Sequence, residues 1–287
     1  MQKITEVNRS QVSVPSSGLM ARLRALFRSL LPQRNPVPPI LPTPSAPEPV
    51  APGVVQFLAS QGFTVKHVPE MVVDPKLDQL AKFMGAHYTE IAPFLTRYKA
   101  AMNRDVTAYM NLKDLPGSQI TSITQVARQL YELGFAQSFY YQKSPYYRLI
   151  VKPNRAINPN FITGAWLERY VYQEVSTALS QSGRRFEILA NAQVLLPNQA
   201  DFEIDLLVGI GSHHLWIEAK SGEYQSKLDK YAKIGQQMGL APQSCFFVAA
   251  AAKPENLATL SNATQMSVVS LDQFSTSLGS YLQDLPR

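Results

Sequence analysis

The sequence predicts a mixed α/β fold: a sheet flanked by helices, preceded by a helical module that ends in a β-hairpin, and before that a proline-rich tail. Three observations carry this. An amphipathic helical pattern at 163–181 runs directly into alternating strand patterns between 186 and 220. Helical spacings dominate 53–133 and give way to two β-rich stretches around 139–151. Prolines crowd residues 32–52. The corresponding units are 1–52, 53–157 and 158–287.

With 287 residues and 45% apolar content, the chain can build substantial cores. Charged residues are 17%, below the ~25% of an average domain, which argues against a wholly disordered protein. The longest apolar run, Cys245 to Ala252, is far short of the ~20 residues a membrane span needs. Cys245 is the only cysteine, so a disulfide framework and a thiolate zinc site are both excluded. The expected location is the cytoplasm, because the start lacks the apolar core of a secretory signal. Net charge is +6, and residues 1–52 contribute most of it, with six basic and two acidic side chains. The charge therefore does not mark the folded part as a nucleic-acid binder by itself.

Within the tail, Leu19, Leu23, Leu26, Phe27 and Leu30 share one helical face, and Arg22, Arg24 and Arg28 lie mainly off it. Residues 18–31 are thus a basic amphipathic helix suited to an anionic membrane, a partner's groove or an organellar transit signal, or else a loosely packed helix. The prolines of 32–52 remove backbone donors and fix φ, giving an extended, largely disordered linker.

In the middle module, apolar spacing predicts helices at 53–61, 75–85, 89–102 and 121–133. Thr121 or Ser122 would cap the last, and Gly134 would end it. Strands at Phe139–Tyr141 and Tyr147–Val151 follow, which is the outline of a winged helix. The hairpin carries Tyr140, Tyr141, Tyr146 and Tyr147 beside Lys143, Arg148 and Lys152. Aromatics interleaved with cations suit stacked bases and phosphates, with Tyr141, Lys143 and Arg148 as candidate contacts. The alternative is that alternate tyrosines pack inward onto the helices.

In the last unit, Trp166, Tyr170, Val171, Val175 and Leu179 form the stripe of the helix at 163–181, which Gly183 ends. Strands follow at 186–196, 201–208 and 215–220, with a glycine-containing turn at 209–214. A helix at 224–238, strands at 244–250 and 266–270 and a closing helix at 271–282 complete the unit. A hairpin turn centred between Gly211 and Ser212 would oppose Asp205 to Glu218 and Glu203 to Lys220. One face would then hold Glu203, Asp205, Trp216, Glu218 and Lys220. The other would hold Ile204, Leu206, Leu215, Ile217 and Ala219.

Carboxylates this close raise one another's pKa unless a cation neutralises them. A divalent metal does so, and Mg²⁺ takes one or two carboxylates with waters and substrate phosphate. A neighbouring lysine can hold or deprotonate the attacking water, or offset charge developing on phosphorus. These are the parts needed to hydrolyse a phosphodiester. Lys227, with Lys230 and Lys233, is placed to meet the phosphate backbone or simply to face water.

Ile204-Asp205 followed by Glu218-Ala219-Lys220 resembles the signature of the PD-(D/E)xK nuclease superfamily. With Gly164-Ala165-Trp166-Leu167-Glu168 upstream, the pattern looks closest to the nuclease domain of CRISPR ancillary nucleases activated by cyclic oligoadenylate, over residues 160–275. The resemblance implies a restriction-endonuclease-like mixed sheet flanked by helices, and an endonuclease acting on DNA or RNA with Mg²⁺ or Mn²⁺. It implies Asp205 and Glu218 as metal ligands, the Ala219 carbonyl completing the inner shell, Glu168 acting from the helix, and Lys220 as the catalytic lysine. It also implies a homodimer where two strands are cut. Two departures stand out. Ile204 replaces the motif's proline, and residues 53–157 lack the βαβ alternation of the sensor domain, so cyclic-nucleotide activation does not carry over. Rival functions are a non-catalytic nucleic-acid-binding protein on the same scaffold and a membrane-tethered adaptor using residues 18–31.

Overall fold

The computed structural model of the chain describes residues 53–70 and 72–286. The helix expected at 18–31 and the proline-rich segment 32–52 lie outside the described residues. The architecture is mixed α/β, with a six-stranded mixed sheet flanked by helices and a separate three-stranded sheet.

Helix α1 (Val54–Ser60) has no side-chain cap of its own, since Gly53 precedes it. Its first amide donates to Glu187 Oε2 at 3.0 Å, so a distant carboxylate satisfies a donor that the helix leaves free. Strand β1 (Thr64–His67) then pairs antiparallel with β5 (Phe186–Leu195) at one edge of the large sheet. Four mostly exposed residues carry too little periodicity for the sequence to announce this strand.

Helices α2 (Pro75–Ala86) and α3 (Tyr88–Arg104) follow. The Asp74 carboxylate caps α2 by accepting from the amides of Lys76 and Leu77. Strand β2 (Ala108–Asn111), helix α4 (Gly117–Glu132) and the hairpin β3 (Ala136–Gln142) and β4 (Arg148–Pro153) complete the module. The hairpin is as expected, but β2 is an addition. The three strands are antiparallel in the order β2-β4-β3. Helix α4 begins after Pro116, so Thr121 and Ser122 do not cap it. Their hydroxyls are inside the helix: Thr121 Oγ1 bonds back to the Gly117 carbonyl, and buried Ser122 donates to Glu90 at 2.5 Å. Gly134 lies just beyond the helix, where its φ of 79° admits the reversal.

A π-helical turn (Phe161–Ala165) leads into α5 (Trp166–Ser182). Strands β6 (Asp201–Ile210) and β7 (His213–Lys220) form a hairpin whose turn is only Gly211-Ser212, with Gly211 at φ 56°. Its ladder pairs Ile210 with His213 through to Leu206 with Ile217, which is the register expected from the sequence. Strands β8 (Cys245–Ala249) and β9 (Ser267–Ser270) run parallel to β7. Parallel neighbours need crossovers, and helices α6 (Leu228–Gln237) and α7 (Pro254–Thr264) provide them. The closing helix is α8 (Leu271–Asp284). Helix α7 escaped the sequence reading because it buries only Leu257 and Thr264, too narrow a stripe to register.

Two apolar clusters sandwich the large sheet. One joins α2 to α5, α8 and the three-stranded sheet with Leu206, Val208, Leu215 and Ile217. The other joins α1, α6 and α7 with Phe202, Leu207, Trp216 and Phe247. Both faces are therefore covered, and no half-solvated charged face exists on β6 and β7. At one point the helices approach so closely that only glycine fits: a Cβ on Gly85 of α2 would lie 2.3 Å from the Tyr170 ring of α5.

The expected alternation along β6 is broken. Ile204 sits in the second cluster with Phe202 and Trp216, not with Leu206, Ile217 and Ala219. The interruption falls at Asp205. Pairing with β5 runs Ala190–Leu206 and Ala192–Ile204 and skips the step between, where Asn191 adopts φ 52°. A strict two-residue period cannot foresee such an irregularity.

Candidate active site

The irregularity at Asp205 and the end of the β6–β7 ladder coincide. Beyond Leu206–Ile217 the strands stop exchanging backbone bonds, and the amide of Ala219 donates to Asp205 Oδ2 at 2.8 Å. The regular ladder ends there, and a side-chain bond takes over the link between the last residues of β7 and β6. The expected cross-strand pair of Glu203 with Lys220 is accordingly not formed; Glu203 is exposed and pairs with Gln193 of β5.

Asp205, Glu218 and Lys220 nevertheless converge. Lys220 Nζ lies 2.8 Å from Asp205 Oδ2 and 2.5 Å from Glu218 Oε1, so one ammonium bridges both carboxylates. Asp205 is 6% exposed and Glu218 only 1%. Burial, and then the neighbouring Asp205 charge, push the Glu218 carboxyl well above its usual range. Burial alone would lower the Lys220 pKa, but Glu218 and Asp205 outweigh it and hold the ammonium firmly protonated. Glu168 projects from the first turn of α5. Burial, then Asp205, raise its pKa to about 7, and Glu203 adds to this against the pull of Lys220. The Ser221 hydroxyl donates to the Thr163 carbonyl at 2.7 Å, which straps the end of β7 to the π-helical turn before Glu168.

Tyr231 of α6 completes the surroundings and was not foreseen. Its ring lies 5.7 Å from Lys220 Nζ, a cation–π distance, and its hydroxyl favours the charged form of Glu218. Tyr224, Leu228 and Tyr231 share a buried face of the 224–238 segment. The sequence predicts a helix at 224–238 with no role for Tyr231, and only the packing of α6 against the sheet shows that its ring meets Lys220 and Glu218. Glu218 Oε2 has no hydrogen-bond partner of good geometry although it is buried. An orphaned carboxylate oxygen inside a protein is costly unless something else neutralises it.

Among the described residues no three His, Cys, Asp or Glu side chains form a closed metal cage. A Mg²⁺-type site does not require one, since one or two carboxylates suffice when water and substrate phosphate supply the rest. The orphaned Glu218 oxygen beside Asp205 fits that requirement.

The other candidates are placed as follows. Lys227 lies exposed in a short 3-10 turn before α6. Lys143 and Arg148 are exposed at the β3–β4 hairpin, whereas Tyr141 is half-buried against the first core cluster. His214 is buried and stacks on Phe57 with ring centroids 3.8 Å apart. Cys245 is buried, and burial pushes its thiol up to about 12.

No family model matches the chain, and no curated protein does. Solved structures of similar fold include the following two. One is protein VC1899 from Vibrio cholerae, at 16% identity and a TM-score of 0.54, covering 85% of this chain and 64% of that one. The other is Can2 from Sulfobacillus thermosulfidooxidans in complex with cyclic tetra-adenylate, at 15% identity and 0.55, covering 80% and 60%. The likeness is one of fold. The chain spans less than two thirds of the length of either protein. Among the described residues no helix is long and apolar enough to cross a membrane.

Proposed function

We propose that this chain is a divalent-metal-dependent nuclease of the PD-(D/E)xK type, hydrolysing phosphodiester bonds of DNA or RNA. The observation that carries it is the meeting of Asp205, Glu218 and Lys220 where the β6–β7 ladder ends, with a buried oxygen of Glu218 left unpaired. The fold shared with the Can2 structure supports the same reading.

Asp205 and Glu218 would hold Mg²⁺ or Mn²⁺, with the Ala219 carbonyl and Glu168 completing or flanking the shell. The bound cation would polarise the scissile phosphate and lower the pKa of a water. Lys220 acts as a cation. Held protonated, it donates to a phosphate oxygen and offsets the charge that builds up on attack. Tyr231 keeps Lys220 and Glu218 in place from below. Lys220, the least buried of the three, would be the group that first meets a substrate phosphate.

The test is cleavage of labelled DNA and RNA, single- and double-stranded, in Mg²⁺, Mn²⁺ or EDTA. Wild type should cut at least one substrate with metal and none in EDTA. Asp205→Ala and Lys220→Ala should abolish cutting. Equal behaviour of wild type and both variants on every substrate would sink the proposal. Binding without cleavage under any metal would point to a non-catalytic nucleic-acid-binding protein.

A further inference from the structure

The three-stranded sheet has an inner and an outer face, and the register assigns each residue. Ala108, Met110, Leu149 and Val151 point into the core and are buried, with Phe139 and Tyr141 packed against it. Tyr109 and Tyr140 both pair with Ile150 of the central strand β4. The outer face therefore carries a row Tyr109–Ile150–Tyr140, and beside it a second row Asn111–Arg148–Gln142. Tyr109 is 61% exposed and Tyr140 52%. They flank one strand, so their rings stand about 10 Å apart.

At the hairpin, Tyr147 takes φ 44°, an uncommon conformation for a bulky residue. Its side chain packs on the core and its carbonyl accepts from the Leu112 amide at 2.8 Å. Tyr146 before it is 56% exposed, and the Arg148 guanidinium lies 5.8 Å from its ring. No Asp or Glu occurs on the three strands. Among the described residues Arg148 and Lys143 have no ion-pair partner, while Lys152 pairs with Asp105. Six basic and three acidic residues lie between 105 and 157.

Exposed tyrosines are large apolar surfaces that a protein does not normally leave to water in a group, and unpaired cations beside them select a polyanion with flat faces. We propose that this outer face is a docking platform for single-stranded nucleic acid, with bases stacking on Tyr109, Tyr140 and Tyr146 and phosphates meeting Arg148 and Lys143. Stacking needs unpaired bases, because a duplex hides its base faces and offers only backbone and grooves. The assignment deepens the nuclease reading by naming the strandedness of the substrate, and it rests on that reading only in taking nucleic acid as the polyanion.

The experiment is fluorescence anisotropy of the full chain in EDTA with labelled DNA and RNA strands of about 20 nucleotides, longer than one such platform spans, and with their annealed duplexes. The wild type should bind the single strands and prefer them to duplex. Tyr109→Thr with Tyr140→Thr should weaken binding roughly ten-fold per residue, and the threonines keep the strands β-prone. The paired phenylalanine variant should bind as wild type, because the ring face is retained. Arg148→Glu provides a second test through phosphate contact. Failure of the wild type to bind single strands, duplex bound equally well, or a threonine variant that binds as wild type would each overturn the platform. So would loss of a dimer in light scattering on the threonine substitutions, which would make the face a contact between copies. Cleavage plays no part in this measurement, so strands bound but never cut would count against the nuclease reading alone.

Discussion

The amide of Ala219 donates to the carboxylate of Asp205 rather than to the neighbouring strand's backbone. This one bond ends the β6–β7 ladder and aims Asp205 at the same point as Glu218 and Lys220. Glu218 and Lys220 already share a face of β7, two residues apart, and this bond holds Asp205 beside them.

Lys220 stabilises the apo site by bridging two buried carboxylates. Lys220→Met leaves both uncompensated and should cost about 3–5 kcal/mol, the usual penalty for removing one partner of a buried pair. Mg²⁺ or Mn²⁺ should raise the Tm of wild type, because the ion binds only the folded state. Glu218→Gln should remove most of that rise. Denaturant melts of the variants and calorimetric melts with and without metal check both statements.

Tyr231→Phe removes the hydroxyl that favours ionised Glu218 and keeps the ring beside Lys220. The Glu218 carboxyl should rise further, so metal affinity should fall, because the ionised form that holds the cation is disfavoured. Isothermal titration with Mn²⁺ measures it, and the fold should survive because the ring still fills its place.

Glu168 titrates near neutrality in the folded protein. Its pKa is raised to about 7 from the ordinary carboxylate value, so the folded state binds more protons than the unfolded one between those limits. Stability contributed by protonated Glu168 is present below about pH 4.5 and is lost as pH rises toward 7. The loss is on the order of 3 kcal/mol at most. Glu168→Gln should flatten the metal-free profile of stability against pH over this window, and urea melts at several pH values read the slope.

Gly85 lets α2 approach the Tyr170 ring. Gly85→Ala should destabilise by about 1–3 kcal/mol through overpacking, despite alanine's better helix propensity. Tyr170→Leu should recover part of that loss when combined with it, and a double-mutant cycle measures the coupling.

Much of the candidate site was legible in the chain. The Gly211-Ser212 turn sets the register that places Asp205 near Glu218, because a two-residue loop fixes which residues of the two strands stand opposite. The helix ending at Gly183 and the β3–β4 hairpin were equally legible, because their punctuation is local. Tyr141 is the instructive departure. In the hairpin's string of tyrosines, the sequence does not say which parity faces the helices, and the structure turns Tyr141 inward and Tyr140 outward.

What the sequence by itself determined is the set of chemical groups and the strands that carry them, because side-chain period and turn chemistry act over a few residues. What only the tertiary structure decided is where alternation fails and what stands behind it. The displaced Ile204, the missing step at Asn191, the shortened ladder and Tyr231 beneath Lys220 all arise from contacts between segments far apart in the chain. Such contacts answer to the packing of whole layers, and no local pattern encodes them.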